Sequence, residues 1–335
     1  MKRWITVLAI AWMSAPLQVW PQAIKTGMTF STRQTPVHDP VLIKQGHTYY
    51  LFGTGRGISV FSSKDLQTWK KEKPVFEQPP AWAAAAVPGY EGHAWAPDIS
   101  YYKGLYYLLY SVSTFGKNNS CVGMAVNTTL DPTDPAFEWE DKGMIIRSVA
   151  GSDHWNAIDP NLVLHEKGKP WLCFGSFWNG IQLVALASDL KPAGGVKTIA
   201  SRCTGQPGAD SVTAGGAIEA PFVFRKNGYY YLFVSWDYCC KGRDSNYKVV
   251  VGRSRKITGP YVDKKGQPMA QNGGSLLIGG NGSEWMGIGH NAVFTDTDGT
   301  DYFVAHGYDE GESKLWIRKL RWATDGWPLL EGVSL

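Results

Sequence analysis

The chain has 335 residues, 44% of them hydrophobic and only 19% charged, with a formal net charge of +4. So small a charge, with no block of Lys or Arg, argues against a nucleic-acid partner, and the length is ample for a sizeable core. Fifteen Trp and 16 Tyr on a low-charge surface suit a neutral ligand such as a sugar, although most of them must serve packing between sheets.

At the start of the chain, Lys2 and Arg3 precede an apolar run from Trp4 to about Ala15, followed by small and turn-forming residues up to Ala23. This layout predicts a secretory signal peptide over residues 1–23 and one secreted domain, extracellular or periplasmic, over 24–335. A membrane anchor needs about 20 apolar residues, and Ser14, Pro16 and Gln18 interrupt this run. No later stretch predicts a membrane span.

From His38 onward one pattern recurs five times: a polar residue, often a proline, a short apolar strand, a Gly-containing turn and an aromatic-rich strand. The copies are HDPVLIKQGHTYYLFGT from His38, HAWAPDISYYKGLYYLLYS from His93 and AIDPNLVLHEKGKPWLCFGS from Ala157. Two more follow, AIEAPFVFRKNGYYYLFVSW from Ala217 and GHNAVFTDTDGTDYFVAHGY from Gly289. Each reads as a β-hairpin. After each, a further apolar segment begins, at Ile58, Val122, Ile181, Val249 and Leu315, supplying a third strand and, past a turn, a short fourth. No segment beyond the leader sustains a 3.6-residue period; the Ala-rich stretch after Ala81 is short and flanked by prolines. Five units of roughly 60 residues, each worth about four strands, predict an all-β, five-bladed β-propeller with its active site at the central cavity. Two packed sandwiches would not require a fivefold repeat.

Five cysteines, Cys121, Cys173, Cys203, Cys239 and Cys240, leave at least one unpaired within a monomer, and none of their spacings resembles a zinc site. Cys203 could reach Cys239 or Cys240, those two neighbours could bridge each other, or all could be ordinary thiols. The sequence leaves these open.

In a propeller the first strand of every blade lines the axis. Alignment of the five hairpins therefore brings Asp39, Trp95, Asp159, Glu219 and His290 to one ring. A single Asp-Pro pair is an ordinary turn starter. Three carboxylates at five equivalent positions are costly, because acids crowded in a partly dry cavity raise one another's pKa. Inverting glycoside hydrolysis uses such a set: a base to activate water, and an acid whose proton goes to the departing oxygen. A third carboxylate beside the acid helps to keep it protonated. Asp98, three residues into its strand, is expected to be structural.

These residues carry a resemblance. The strings V-H-D-P from Val37, N-A-I-D-P-N from Asn156 and A-I-E-A-P from Ala217 resemble glycoside hydrolase family 43, nearest to its arabinan endo-1,5-α-L-arabinosidases. YLFGTGRGI from Tyr50, HAWAPDIS from His93, GSFWNGIQL from Gly175 and SWDYCC from Ser235 are similar to the same subgroup, and the likeness spans about residues 36 to 322.

The resemblance implies that Asp39 is the general base, Glu219 the general acid and Asp159 the residue that tunes and orients it. It implies that His290, in G-I-G-H-N, holds a calcium or similar water-shelled ion at the hub. Trp95, Phe115 and Gly116 of S-T-F-G-K, Asn156, and Ser176, Phe177 and Trp178 are expected to line a sugar groove. Arabinan and arabino-oligosaccharides are the expected partners of a monomer, with no organic cofactor.

Internal cleavage is the leading expectation, against an exo-acting α-L-arabinofuranosidase or β-xylosidase on the same fold. A related retaining fructan hydrolase is expected to carry a Cys after its catalytic Glu, where this chain has Ala220. A non-catalytic sugar-binding propeller would not need all three acids.

Overall fold

The computed structural model describes residues 24–164, 168–202 and 216–333; the leader segment and Cys203 lie outside the described residues. Their strands form five antiparallel sheets arranged as the blades of a propeller. In the first blade the strands run outward from the axis as Val41–Gln45, Thr48–Gly53, Ser59–Ser63 and Thr68–Lys71, and the N-terminal Thr29–Ser31 adds a fifth at the rim. The second comprises His93–Tyr102, Leu105–Val112, Ser120–Asn127 and Glu140–Ser148, with the two-residue Gly55–Arg56 paired to its innermost strand, and the third Asn161–Val163, Trp171–Phe174, Ile181–Ala185 and Lys197–Ala200. The fourth is built from Ile218–Lys226, Tyr229–Trp236, Lys248–Ser254 and Ser275–Gly279, the fifth from Ile288–Thr295, Asp301–Asp309, Glu312–Trp322 and Pro328–Leu330. The Ala-rich stretch forms one helical turn, Ala83–Ala86, held between Pro80 and Pro88. Among the described residues no helix is long and apolar enough to cross a membrane.

A blade cannot bury both faces alone, so the core is divided among the gaps between blades. Val60 and Phe52 of the first blade pack against Leu108 and Tyr110 of the second, and Leu109 and Met124 of the second meet Leu172 and Phe174 of the third. Leu183 and Ile199 then meet Leu232 and Val234 of the fourth, while Phe233 and Val251 meet Phe303 and Trp316 of the fifth. The ring closes where Leu51, Phe61 and Trp69 of the first blade pack on Val304 and Leu315 of the fifth. A single bridge between Pro36 and Lys314 and an ion pair of Lys44 with Asp296 reinforce that seam. Closure thus rests on side-chain packing between two sheets, a detail that the repeat pattern did not reveal.

Candidate active site

The innermost strand of each blade enters the hub through one residue in the left-handed region: Asp39 (φ 51°), Ala96 (φ 45°), Asp159 (φ 55°), Ala220 (φ 53°) and His290 (φ 49°). Asp and His tolerate this conformation better than most residues. In four of the five a proline follows (Pro40, Pro97, Pro160, Pro221); it has no N–H to give to the neighbouring strand. The ladder slips by bulges between Trp95 and Asp98, Glu219 and Phe222, and, in the blade without the proline, Gly289 and Ala292. A bulge of this kind re-aims side chains at a strand end. The backbone equivalence also corrects the sequence alignment by one place in two blades: Trp95 and Glu219 precede the left-handed residue, which is Ala96 or Ala220.

Each hub N–H finds a partner across a blade boundary. The Ala96 N–H donates to Thr54 Oγ1 (2.8 Å), that of Asp159 to Ser111 Oγ (3.0 Å), that of His290 to Ser235 Oγ (2.8 Å) and that of Asp39 to His306 Nδ1 (3.1 Å). These four acceptors stand on or just past the second strand of the preceding blade, opposite the residues where its first strand opens. In the third blade that place is Gly175, which has no side chain, and its Cβ would meet the Gly180 carbonyl at 2.5 Å. There the Asp159 carboxylate itself accepts the Ala220 N–H (3.0 Å). That one exception ties Asp159 to the residue beside Glu219.

The three acids and His290 share one electrostatic pocket. His290 Nδ1 stands 3.0 Å from Asp39 Oδ1, and the Thr54 hydroxyl donates to Asp39 Oδ2 at 2.5 Å. Burial pushes the Asp39 carboxyl up, but the imidazoles of His290 and His38 pull it further down, well below the usual carboxylate range. Burial raises Asp159, and Glu219 and Asp39 raise it further against His290, up to about 8. Glu219 is also raised, mainly by burial, although it accepts hydrogen bonds from the Tyr247 hydroxyl (2.7 Å) and the Ser176 hydroxyl (2.8 Å). Burial thus disfavours the ionised forms of Asp159 and Glu219, while the neighbouring imidazoles favour that of Asp39. Burial lowers His290, yet the surrounding carboxylates push it up to about 9.

His290 suits a cation as well as a proton. Its Nδ1–H donating to Asp39 leaves the Nε2 lone pair as the ligand, the carboxylate–histidine arrangement common in metal sites. The three-ligand groupings among the described residues do not include His290, so an ion there would be held by one imidazole nitrogen and water.

The expected groove residues divide. Ser176 is brought to the acids, but its hydroxyl is spent on Glu219. Phe177 and Trp178 adopt consecutive left-handed conformations (φ 55° and 43°), and Phe177 meets the Tyr238 ring at 6.1 Å. Trp95, half-buried, pairs with Ser111 at the hub end of its strand. Asn156 is buried, with an Oδ1 that has no partner. Phe115 is 77% exposed beside Gly116, on a loop that Asn118 ties to the carbonyls of Asp153 and Trp155; no contact joins it to the acids. Asp98 accepts the Leu162 N–H at 2.7 Å, a structural role between two blades.

Sequence reasoning missed His38, Thr54, Ser111, Ser235, Tyr247 and His306. Thr54, Ser111, Ser235 and His306 lie at or near the end of the aromatic segment of their repeat, a second column that the same alignment contains. Tyr247 follows an irregular loop and carries no such signal.

Further along the same five strands the axis is hollow, with a cavity of about 360 Å³ lined by Val41, Asp98, Asn161, Phe222 and Val293 among others. The acids do not line it.

Comparison with known proteins gives the family of the chain. The sequence profile described as Glycosyl hydrolases family 43 matches residues 32–328. The chain is 48% identical over 309 residues to the Extracellular exo-alpha-(1->5)-L-arabinofuranosidase ArbA of Cellvibrio japonicus, covering 90% of this chain and 88% of that one. It is 44% identical over 300 residues to the Extracellular endo-alpha-(1->5)-L-arabinanase 1 of Bacillus subtilis, covering 87% of each. The structure of Cellvibrio cellulosa alpha-L-arabinanase complexed with arabinohexaose superposes with a TM-score of 0.85 at 48% identity, covering 89% of this chain and 96% of that one. The chain belongs to glycoside hydrolase family 43 and is a glycoside hydrolase.

Proposed function

We propose that the protein is a secreted enzyme that hydrolyses α-1,5-linked L-arabinan with inversion at the anomeric carbon. The observation that carries this reading is the gathering of three buried acids at one hub: Asp39 stands 3.0 Å from His290, Glu219 accepts from Tyr247 and Ser176, and Asp159 accepts the N–H of Ala220, the residue beside Glu219. Asp39, fixed by Thr54 and His290, takes a proton from water as that water attacks the anomeric carbon. Glu219, aimed by Tyr247 and Ser176, gives its proton to the departing glycosidic oxygen. Asp159, tethered to the Ala220 N–H, sustains the raised pKa of that acid. A calcium or similar ion at His290 would offset part of the carboxylates' charge.

The motifs around Asn156 and Ser235 favour internal cleavage. A second reading, release of arabinose from chain ends, is favoured by the higher identity to the relative named as exo-acting, 48% against 44%. Incubation with debranched linear arabinan, with products resolved by size, tests both. Mixed oligomers support internal cleavage and arabinose alone supports the exo mode. Intact polymer overturns the proposal.

A further inference from the structure

Beside Asp39, on the rim of the pocket, Cys239 and Cys240 are bonded to each other. Cys240 is exposed, and its Sγ lies 3.6 Å from His38 Nε2. The same His38 nitrogen is 3.5 Å from Asp39 Oδ1. His38 in turn stacks on His306 at 4.1 Å, whose Nδ1 accepts the Asp39 N–H. One imidazole therefore stands between a pair of sulfurs and the carboxylate proposed as base.

We propose that reduction of the Cys239–Cys240 bond creates a soft-metal site at this rim, with both thiolates and His38 as ligands for a zinc-class cation. The bonded sulfurs are weak donors, because thiolate is the form that ligates metal. A dithiol reductant supplies two electrons and two protons. Its own sulfurs join in a disulfide while the Cys239–Cys240 bond opens to two thiols. Zinc then displaces the two thiol protons, leaving two thiolates and a neutral imidazole around the ion.

The spacing fits. A tetrahedral zinc with sulfur at about 2.3 Å and nitrogen at about 2.0 Å holds the two about 3.5 Å apart, against the 3.6 Å seen between Cys240 Sγ and His38 Nε2. The ligand atoms of all three residues already lie within 4.8 Å of one another. Opening the disulfide lets the sulfurs part to the roughly 3.8 Å that two thiolates take on one zinc. The fourth position falls to water or to Asp39. Soft thiolates select such metals over calcium, so this site and an ion at His290 would not compete for the same cation. Occupancy withdraws His38 from Asp39 and blocks the base; this inhibition, unlike the binding, rests on the arabinan-cleaving reading above.

The test reads zinc uptake first. Full-length mature protein, in a Cys203→Ser background, is reduced with dithiothreitol, freed of reductant without air, and titrated with Zn2+ against a chromogenic chelator. Reduced protein should take up one Zn2+ per chain more than oxidised protein. Cys240→Ser and His38→Gln, made separately, should each weaken that extra site by more than the tenfold or so that even an outer partner of a metal ligand is worth. Equal uptake before and after reduction overturns the site, as does unchanged extra uptake in the Cys239→Ser/Cys240→Ser double variant. A second arm follows hydrolysis of linear arabinan. Zinc should stop the reduced enzyme, spare the oxidised one, and be reversed by chelation. Zinc that binds without inhibiting overturns the block on the base. A protein that never cleaves arabinan overturns the earlier reading and leaves the uptake result standing.

Discussion

The step from the third blade to the fourth differs from the other four hub steps. Elsewhere a neutral side chain (Thr54, Ser111, Ser235 or His306) accepts the hub N–H of the next blade and satisfies a donor that water does not reach; Thr54 alone among these hydroxyls also donates to an acid, Asp39. Between the third and fourth blades Gly175 vacates that place, and the Asp159 carboxylate fills it. A fivefold scaffold thus acquires its asymmetric chemistry by leaving out one side chain. The charge that neutral acceptors keep out of the other steps is admitted next to Glu219.

The largest expected effect probes the acid at that step. Glu219→Gln should lower turnover of linear arabinan by about a thousandfold, within the range of a lost general acid, with oligosaccharide binding by calorimetry retained. Retained turnover would take Glu219 out of its role.

Asp159→Asn separates tether from charge, since an amide oxygen can still accept the Ala220 N–H. Turnover should fall about a hundredfold. The alkaline limb of kcat/KM should move to lower pH by about one unit, because without a neighbouring carboxyl Glu219 loses its proton more readily. A limb that stays in place would mean that Asp159 only positions. The opposite limb, set by Asp39, should lie at low pH in either protein, because that carboxyl is already held down.

Tyr247→Phe sharpens the contrast from the other side. Its hydroxyl favours the ionised form of Glu219, so its removal should shift the alkaline limb upward, opposite in sign to Asp159→Asn. About tenfold is expected to be lost from kcat as the acid loses its aim. A downward shift in the pH profile would contradict this assignment.

The smallest effect belongs to an ordinary step. Ser235→Ala leaves the buried His290 N–H without its acceptor and should cost about 1–2 kcal/mol of stability by chemical denaturation, with the pH profile unmoved. A moved profile would erase the distinction between the ordinary steps and the exceptional one.

Much of this was legible beforehand because the repeat is written in residue types that act locally. Prolines after Asp39 and Asp159, glycines in the hairpin turns and aromatic strands dictate hairpins without reference to the rest of the chain. A residue that opens an inner strand must then face the axis. Ser176, expected to line a sugar groove, donates its hydroxyl to Glu219, a contact that sequence proximity to the pocket does not reveal. The vicinal bond of Cys239 and Cys240 was one of three open alternatives, since pairing depends on where a loop folds back.

The amino-acid order by itself determined the blade count, the strand pairing within blades and which acids converge, because each follows from short-range backbone preference multiplied five times. Only the tertiary structure decided which donors each acid accepts from, that Tyr247 reaches Glu219, and that the first and fifth blades close the ring by packing. Those contacts join residues far apart in the chain, and burial and distance, absent from any local pattern, set their strength.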